Sequence, residues 1–215
     1  MISVILSFFQ TKVLPDGFVY VKDVIPDIEV ELRYAGSNNF VGQPVDGYEA
    51  NKCIITLEAA NKLRSLQEEL YDYNLCLKIY DAYRPQIAVD HFVRWAKNLD
   101  DTINKQKFYP EVNKQDLFLE GYIASQSRHS SGSTVDITLV DGSTGKELDM
   151  GSDWDYFGQR SWVDFADISD KQKANRQLLQ AFMAKHGFRN YSKEWWHFTL
   201  LDEPFVGQYL EFIVQ

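Results

Sequence analysis

Two histidines and two carboxylates fall at spacings that suit a catalytic metal site. His129 and Asp136 lie seven residues apart in the segment SRHSSGSTVD, and Glu194 precedes His197 by three residues in EWWHFT. Taken singly, a histidine among aromatic residues or a Glu-x-x-His pair is more typical of a hydrogen-bonded structural position. Together they supply two imidazoles, one ligand carboxylate and one spare carboxylate. That set is the inventory of a zinc site in which three protein ligands leave one position for water.

The two spacings have a structural reason. If a turn joins two strands between His129 and Asp136, both side chains can point to one face, and the small residues Ser130 to Ser133 leave room for the turn. Glu194 and His197 would point to opposite faces of a regular strand because side chains alternate. We therefore expect Glu194 to lie in an irregular approach to its strand.

A second cluster with chemical potential is the segment YDAYRP, in which Arg84 ends an apolar strand pattern just before Pro85. One interpretation is a surface arginine that pairs with a nearby carboxylate. The other is an anion-binding role, because a guanidinium stays charged and donates with fixed geometry to an oxyanion. The remaining histidines, His91 and His186, fall inside or at the end of predicted helices and are interpreted as structural.

Apolar periodicity predicts the elements that position these residues. Residues three and four apart recur in three helical segments, Thr56–Tyr71, Pro85–Trp95 and Lys171–His186, the last ended by Gly187. Alternating or β-branched patterns predict four strands, Leu75–Tyr80, Tyr122–Gln126, Thr134–Val140 and Trp196–Leu200. The predicted class is α+β, with helices packed on a mostly antiparallel central sheet that bears the zinc site.

Domain organisation follows from length and pattern. The chain has 215 residues and shows neither an internal repeat nor a linker, so we predict a single domain over residues 1–215. Residues 1–24 are interpreted as an N-terminal extension that forms part of the fold. The short apolar run within residues 1–12 makes a poor signal peptide and is predicted to be a buried strand, although an export signal upstream is left open.

Composition excludes several function classes. The net charge of −9 opposes binding to nucleic acid or anionic lipid because the field of the protein repels polyanions. No segment reaches the ~18 apolar residues that a membrane span needs. Cys53 and Cys76 are too few for a sulfur-ligated metal site, and they leave either one disulfide or two free thiols.

The motifs YDAYRP, SRHSSGSTVDITL, LDMGSDWDYF and EWWHFT occur in this order. Together they resemble the D-alanyl-D-alanine dipeptidases of the VanX type, within a zinc peptidase family that also holds D,D-carboxypeptidases. The similarity covers about residues 25–215. One departure is the turn HSSGSTVD, where relatives often have arginine after the first serine and alanine at the position of Thr134.

The resemblance implies roles for individual residues. It implies one Zn²⁺ bound by His129, Asp136 and His197. It assigns Glu194 as the catalytic base and Arg84 as the group that stabilises the developing negative charge. The amino group of the substrate would be held by the remaining predicted residues, which are Tyr34, Ser127 and Asp155. Asp153 is an alternative to Asp155, because it lies two residues away in the same motif.

The resemblance also implies a bacterial enzyme that cleaves a small dipeptide, D-alanyl-D-alanine, to two D-alanines. The alternative within the same chemistry is a D,D-carboxypeptidase or endopeptidase that acts on peptidoglycan stem peptides in an open groove. A different class, a non-catalytic binding module on the same fold, is disfavoured because all three ligands and Glu194 are present. Cytoplasm and periplasm remain equal alternatives, and the sequence does not predict the oligomeric state.

Overall fold

The computed structural model describes residues 14–215, which form a mixed α+β fold. Its strands are β1 (Phe18–Tyr20), β2 (Glu29–Val30), β3 (Ile54–Thr56), β4 (Leu75–Asp81), β5 (Thr134–Asp141), β6 (Phe188–Tyr191) and β7 (Glu194–Leu200). Its α-helices are α1 (Val21–Val24), α2 (Leu57–Leu70), α3 (Gln86–Lys97), α4 (Lys105–Phe108) and α5 (Asp170–Lys185). Short 3₁₀ helices occupy several of the connections.

The central sheet has five strands in the order β2, β4, β5, β7, β6. Every neighbouring pair is antiparallel except β2 and β4, which are parallel. A separate two-stranded antiparallel sheet joins β1 to β3. The prediction of an α+β fold with a mostly antiparallel sheet is therefore confirmed.

The three long helices lie where periodicity predicts them, within one or two residues. The Thr56 side chain accepts a hydrogen bond from the Ala59 amide and so caps α2, which contacts β4. Helix α5 has a capping box at its start and contacts β6. Gly187 follows α5 with a φ of 87°, a conformation that favours glycine. Local sequence signals thus place the helices that cover the sheet.

The strand predicted at Tyr122–Gln126 is wrong. This segment is irregular, and the amides of Tyr122 and Ile123 both donate to the carbonyl of Leu117 in the preceding turn. The predicted hairpin would pair the segment with β5 from Thr134 onwards. At that end β5 is already paired with β4 on one side and with β7 on the other. At Asp136, where β4 and β7 both pair with β5, no edge is left for a third partner.

The N-terminal region contributes to the core beneath the His129 turn. Gly132 has a φ of 81°, and a Cβ built at this position would lie 2.1 Å from the ring of Phe18. The small residues of the turn therefore leave room for the β1 side chain. The described part of the predicted N-terminal extension, residues 14–24, contains β1 and α1. The strand predicted within residues 1–12 lies outside the described residues.

Replacing Gly132 with alanine is expected to destabilise the fold by about 2–4 kcal/mol, from the cost of left-handed backbone plus overpacking against Phe18. Chemical denaturation of the purified variant measures the loss. Gly145→Ala is the matched control, because Gly145 also has a positive φ, 67°, but has no atom within 4 Å of an added Cβ. Equal stability losses in the two variants would contradict the packing role of Phe18.

The structure decides between the two alternatives for the cysteines. Cys53 and Cys76 are both free thiols, so the disulfide alternative is excluded. Burial raises the pKa of the Cys53 thiol, which keeps it protonated and unreactive.

Across residues 14–215, none of the helices combines the length and apolar character needed to cross a bilayer.

Candidate metal centre and active site

Three acidic or imidazole side chains form a row across adjacent strands of the central sheet. Asp81 of β4 stands opposite Asp136 of β5, and Asp136 stands opposite His197 of β7. Directly opposed residues of antiparallel strands have their Cβ atoms about 4.5–5.5 Å apart. Strand register alone therefore brings Asp136 and His197 into contact from distant parts of the chain.

His129 reaches the same place from the 3₁₀ helix Arg128–Ser131, which is separated from β5 by two residues. The Ser127 side chain caps this helix by accepting from the His129 amide at 3.3 Å. The His129 ring is buried, and its Nδ1 lies 2.7 Å from the carbonyl oxygen of Ala82. Because a carbonyl can only accept, Nδ1 carries the proton, and Nε2 presents a lone pair to the cluster.

Three ligand atoms converge at this point. His129 Nε2 lies 3.3 Å from Asp136 Oδ1 and 3.3 Å from His197 Nδ1, and His197 Nδ1 lies 3.2 Å from Asp136 Oδ1. Asp136 Oδ1 is buried and has no hydrogen-bond partner, whereas Oδ2 accepts from Trp154 Nε1 at 3.1 Å. Tetrahedral zinc with bonds of about 2.0–2.2 Å separates its ligand atoms by about 3.3–3.6 Å. The donor set and its spacing therefore fit zinc.

Glu194 lies beside this cluster because β7 is irregular. The pairing of β6 with β7 shifts between Asn190 and Tyr191, so three residues of β7 bulge out after Glu194. Glu194 Oε2 consequently lies 3.4 Å from His197 Nδ1, on the same side of the strand. The expected irregularity is confirmed. Burial raises the pKa of the Glu194 carboxyl, which favours a role in accepting and returning a proton.

Arg84 is largely enclosed, with 13% of its side chain exposed, rather than paired on the surface. Its Nε and Nη2 donate to Asp81 Oδ2 at 2.9 and 2.8 Å, and Nη2 lies 3.8 Å from Asp136 Oδ2. The guanidinium also lies over the ring of Tyr34, 5.1 Å from its centroid. Asp81 therefore orients a permanent cation towards the candidate metal centre.

All eight residues singled out from the sequence line one cavity of about 270 Å³. They are Tyr34, Arg84, Ser127, His129, Asp136, Asp155, Glu194 and His197. Sites for drug-sized ligands occupy about 300–1,000 Å³, so this volume suits a smaller molecule. Aromatic side chains, among them Phe40, Phe92 and Phe157, supply apolar wall. Asp153 instead faces a different cavity, which distinguishes it from Asp155.

Tyr34 and Asp155 form a buried pair, with the Tyr34 hydroxyl donating to Asp155 Oδ2 at 2.7 Å. Asp155 has a φ of 65°, an uncommon backbone conformation for a non-glycine residue. Burial raises the pKa of its carboxyl well above the usual range, and the Asp136 carboxylate adds to the rise. A ligand ammonium group next to Asp155 would stabilise the ionised form of this carboxyl.

Comparison with known proteins agrees with this geometry. The family profile described as "D-ala-D-ala dipeptidase" (Peptidase_M15) matches residues 15–215. The chain belongs to this peptidase family. It is therefore a metallopeptidase of the VanX type.

Three bacterial relatives, each named D-alanyl-D-alanine dipeptidase, align over nearly their whole length. The Enterococcus faecalis protein is 39% identical over 94% of this chain and 100% of its own. The Enterococcus faecium protein is 37% identical over 93% of this chain and 98% of its own length. The Streptomyces coelicolor protein is 39% identical over 91% of this chain and 96% of its own length. Among solved structures, the vancomycin resistance D,D-pentapeptidase VanY in complex with Zn(II) aligns at a TM-score of 0.43 and 13% identity, over 71% of this chain and 75% of its own.

Two residues that support the site, Asp81 and Trp154, were not predicted from the sequence. Asp81 orients Arg84 and lies 3.6 Å from His129 Nδ1, and its signal was its position three residues before Arg84 in YDAYRP. Trp154 supports Asp136 through its indole nitrogen and stacks on Tyr80. Its only signal is adjacency to Asp155, so the hydrogen bond to Asp136 could not be predicted. The remaining histidines are structural, as expected: His91 accepts from the Asp46 amide, and His186 contacts Glu69.

Proposed function

We propose that this protein hydrolyses the dipeptide D-alanyl-D-alanine to two molecules of D-alanine, using one zinc ion per chain. Membership of the dipeptidase family supports the reaction class. The observation that carries the proposal is the convergence of His129, Asp136 and His197 in a small cavity that also contains Glu194 and Asp155. A binding module would have no need for the extra carboxylate at that position.

The zinc ion would be held by His129 Nε2, Asp136 Oδ1 and His197 Nδ1. When bound, zinc lowers the pKa of a coordinated water towards ~7 and polarises the substrate carbonyl. The hydrogen bonds from His129 to Ala82 and from Trp154 to Asp136 fix two of the three ligands before the metal arrives.

Glu194 and Arg84 supply the rest of the chemistry. Glu194, half-buried beside His197, accepts the proton of the attacking water and returns it to the leaving amine. Negative charge develops on the former carbonyl oxygen. Arg84, already oriented by Asp81, donates to that oxygen more strongly in the transition state than in the ground state.

The amino end of the dipeptide would be recognised by Tyr34, Ser127 and Asp155. Asp155 is buried and pairs with Tyr34, and the Ser127 hydroxyl retains a second lone pair after capping the His129 helix. A longer peptide would place a neutral amide against Asp155 and leave a buried carboxylate without its cation. The site is therefore selective for a free amino terminus close to the scissile bond.

The direct test is release of D-alanine from D-alanyl-D-alanine by the purified protein. We expect turnover with one zinc per chain, loss after removal of zinc by a chelator, and recovery on adding zinc back. A peptidoglycan stem pentapeptide that ends in D-alanyl-D-alanine should not be cleaved. Cleavage of the pentapeptide but not of the dipeptide would instead identify a D,D-carboxypeptidase.

Replacing Asp155 with asparagine is expected to raise KM for D-alanyl-D-alanine by about 10- to 100-fold, because a charge-assisted hydrogen bond to the ammonium group is lost. Discrimination against N-acetyl-D-alanyl-D-alanine should narrow in the same variant. Steady-state kinetics with both substrates measure the two effects. Asp153→Asn is the matched control, since Asp153 is exposed and faces the other cavity. A rise in KM in the control alone would assign the amino group to Asp153.

A further inference from the structure

The bulge that places Glu194 beside His197 is spanned by a single side chain. Asn190 lies on β6 at the point where the pairing with β7 shifts. Its Nδ2 donates to the carbonyl oxygen of Glu194 at 3.0 Å and to that of His197 at 2.7 Å. One amide group therefore ties together both ends of the bulged segment.

Those two residues would separate in a regular strand. Side chains three positions apart face opposite sides of a β-strand, so an unbulged β7 would carry Glu194 away from the metal ligands. The bulge leaves backbone carbonyls without ladder partners, and an unpaired buried carbonyl is unfavourable. Asn190 donates to both carbonyls with its two N–H groups and so stabilises the bulge.

The chemistry of Asn190 fixes its orientation. With Nδ2 turned towards the two carbonyls, both contacts are hydrogen bonds, whereas a flipped amide would set its own oxygen against them. The opposite atom, Asn190 Oδ1, is buried and has no hydrogen-bond partner. Only the two N–H donors of the Asn190 amide are hydrogen-bonded, and its oxygen is not. Between the two bridged residues, Trp195 and Trp196 are both buried.

We propose that Asn190 is a positioning residue for the active site, which holds the base Glu194 and the metal ligand His197 on one side of β7 by bridging their carbonyl groups. Asn190 is not among the residues that line the cavity. The kinetic part of this inference rests on the proposed function, whereas the zinc-binding part does not.

The test replaces Asn190 with alanine, which removes both donors, and with aspartate, which keeps the shape but offers no N–H. In each variant we expect zinc affinity, measured by competition with a chromophoric chelator, to fall by about 10-fold or more. We expect kcat for D-alanyl-D-alanine to fall by about 10- to 100-fold, with KM within about twofold of wild type. Either variant that folds decides the question.

The control is Gln67→Ala. Gln67 is buried, and its Oε1 accepts from the Leu77 amide at 2.8 Å, so the variant loses a side-chain to backbone bond at the far end of β4. It should lower the Tm without changing zinc affinity or kcat. Asn190 variants that lose Tm as this control does, yet keep wild-type zinc affinity and kcat, would overturn the inference. A wild-type protein that binds zinc but releases no D-alanine would refute the proposed reaction, and zinc affinity would still test Asn190.

Discussion

Replacing Glu194 with glutamine is expected to leave zinc bound and to lower kcat for D-alanyl-D-alanine by about 10²- to 10⁴-fold. Glutamine has nearly the same shape but can neither accept the proton of the water nor return it to the leaving amine. Glu194 lies outside the three-atom cluster, so its loss should not empty the site. Steady-state kinetics and elemental analysis on the same preparation separate the two effects.

The matched control for this variant is Glu147→Gln. Glu147 is a carboxylate whose Oε1 lies 2.9 Å from Lys78 Nζ and which faces the second cavity. We expect the control to keep wild-type kcat and zinc content. If Glu194→Gln turned over the dipeptide at the wild-type rate, another group would have to be the base. If it lost its zinc, Glu194 would be a ligand rather than the base.

Replacing His129 with alanine is expected to abolish both zinc binding and turnover. Only two ligand atoms would remain, and the carbonyl of Ala82 would lose the donor that now lies 2.7 Å away. Zinc content after dialysis should fall from one per chain to near zero, as determined by elemental analysis. With zinc gone, kcat should fall by at least the factor expected for Glu194→Gln, because metal activation of the water is lost.

His186→Ala is the control for the loss of an imidazole. His186 contacts Glu69 at 2.9 Å, at the end of α5 and away from the cavity. Its variant should retain one zinc per chain and wild-type turnover. Stoichiometric zinc in the His129→Ala protein would show that the metal is held by a different set of residues.

The sequence predicts the cluster that forms the candidate metal centre better than it predicts the sheet. His129 and Asp136 are close in the chain, and so are Glu194 and His197, so each half of the site leaves a local signal. The two halves meet because β5 pairs with β7 in a register that sets Asp136 opposite His197. Spacing along the chain does not predict this meeting, and only the family resemblance implied it. The pair of Tyr34 and Asp155 is separated by 121 residues and had no local signal.

The failures have a common physical cause. The segment Tyr122–Gln126 has strand-like composition, yet whether it pairs depends on which edges of β5 other strands already occupy. The two-residue strand β2 is too short for a period of two to be read from it. The roles of Asp81 and Trp154 as supports for Arg84 and Asp136 depend on packing across the sheet. Local propensity carries none of this information.

Trp154 and Asp155 are consecutive, but they have different partners: the indole donates to Asp136, a proposed zinc ligand, while the carboxylate of Asp155 faces the cavity. This stretch of backbone therefore cannot be remodelled for one purpose alone. Enlarging the pocket there to admit bulkier amino acids would also loosen the grip on Asp136. Any laboratory evolution towards new dipeptides should select compensating changes that restore metal retention, or should find its broadened variants dependent on added zinc.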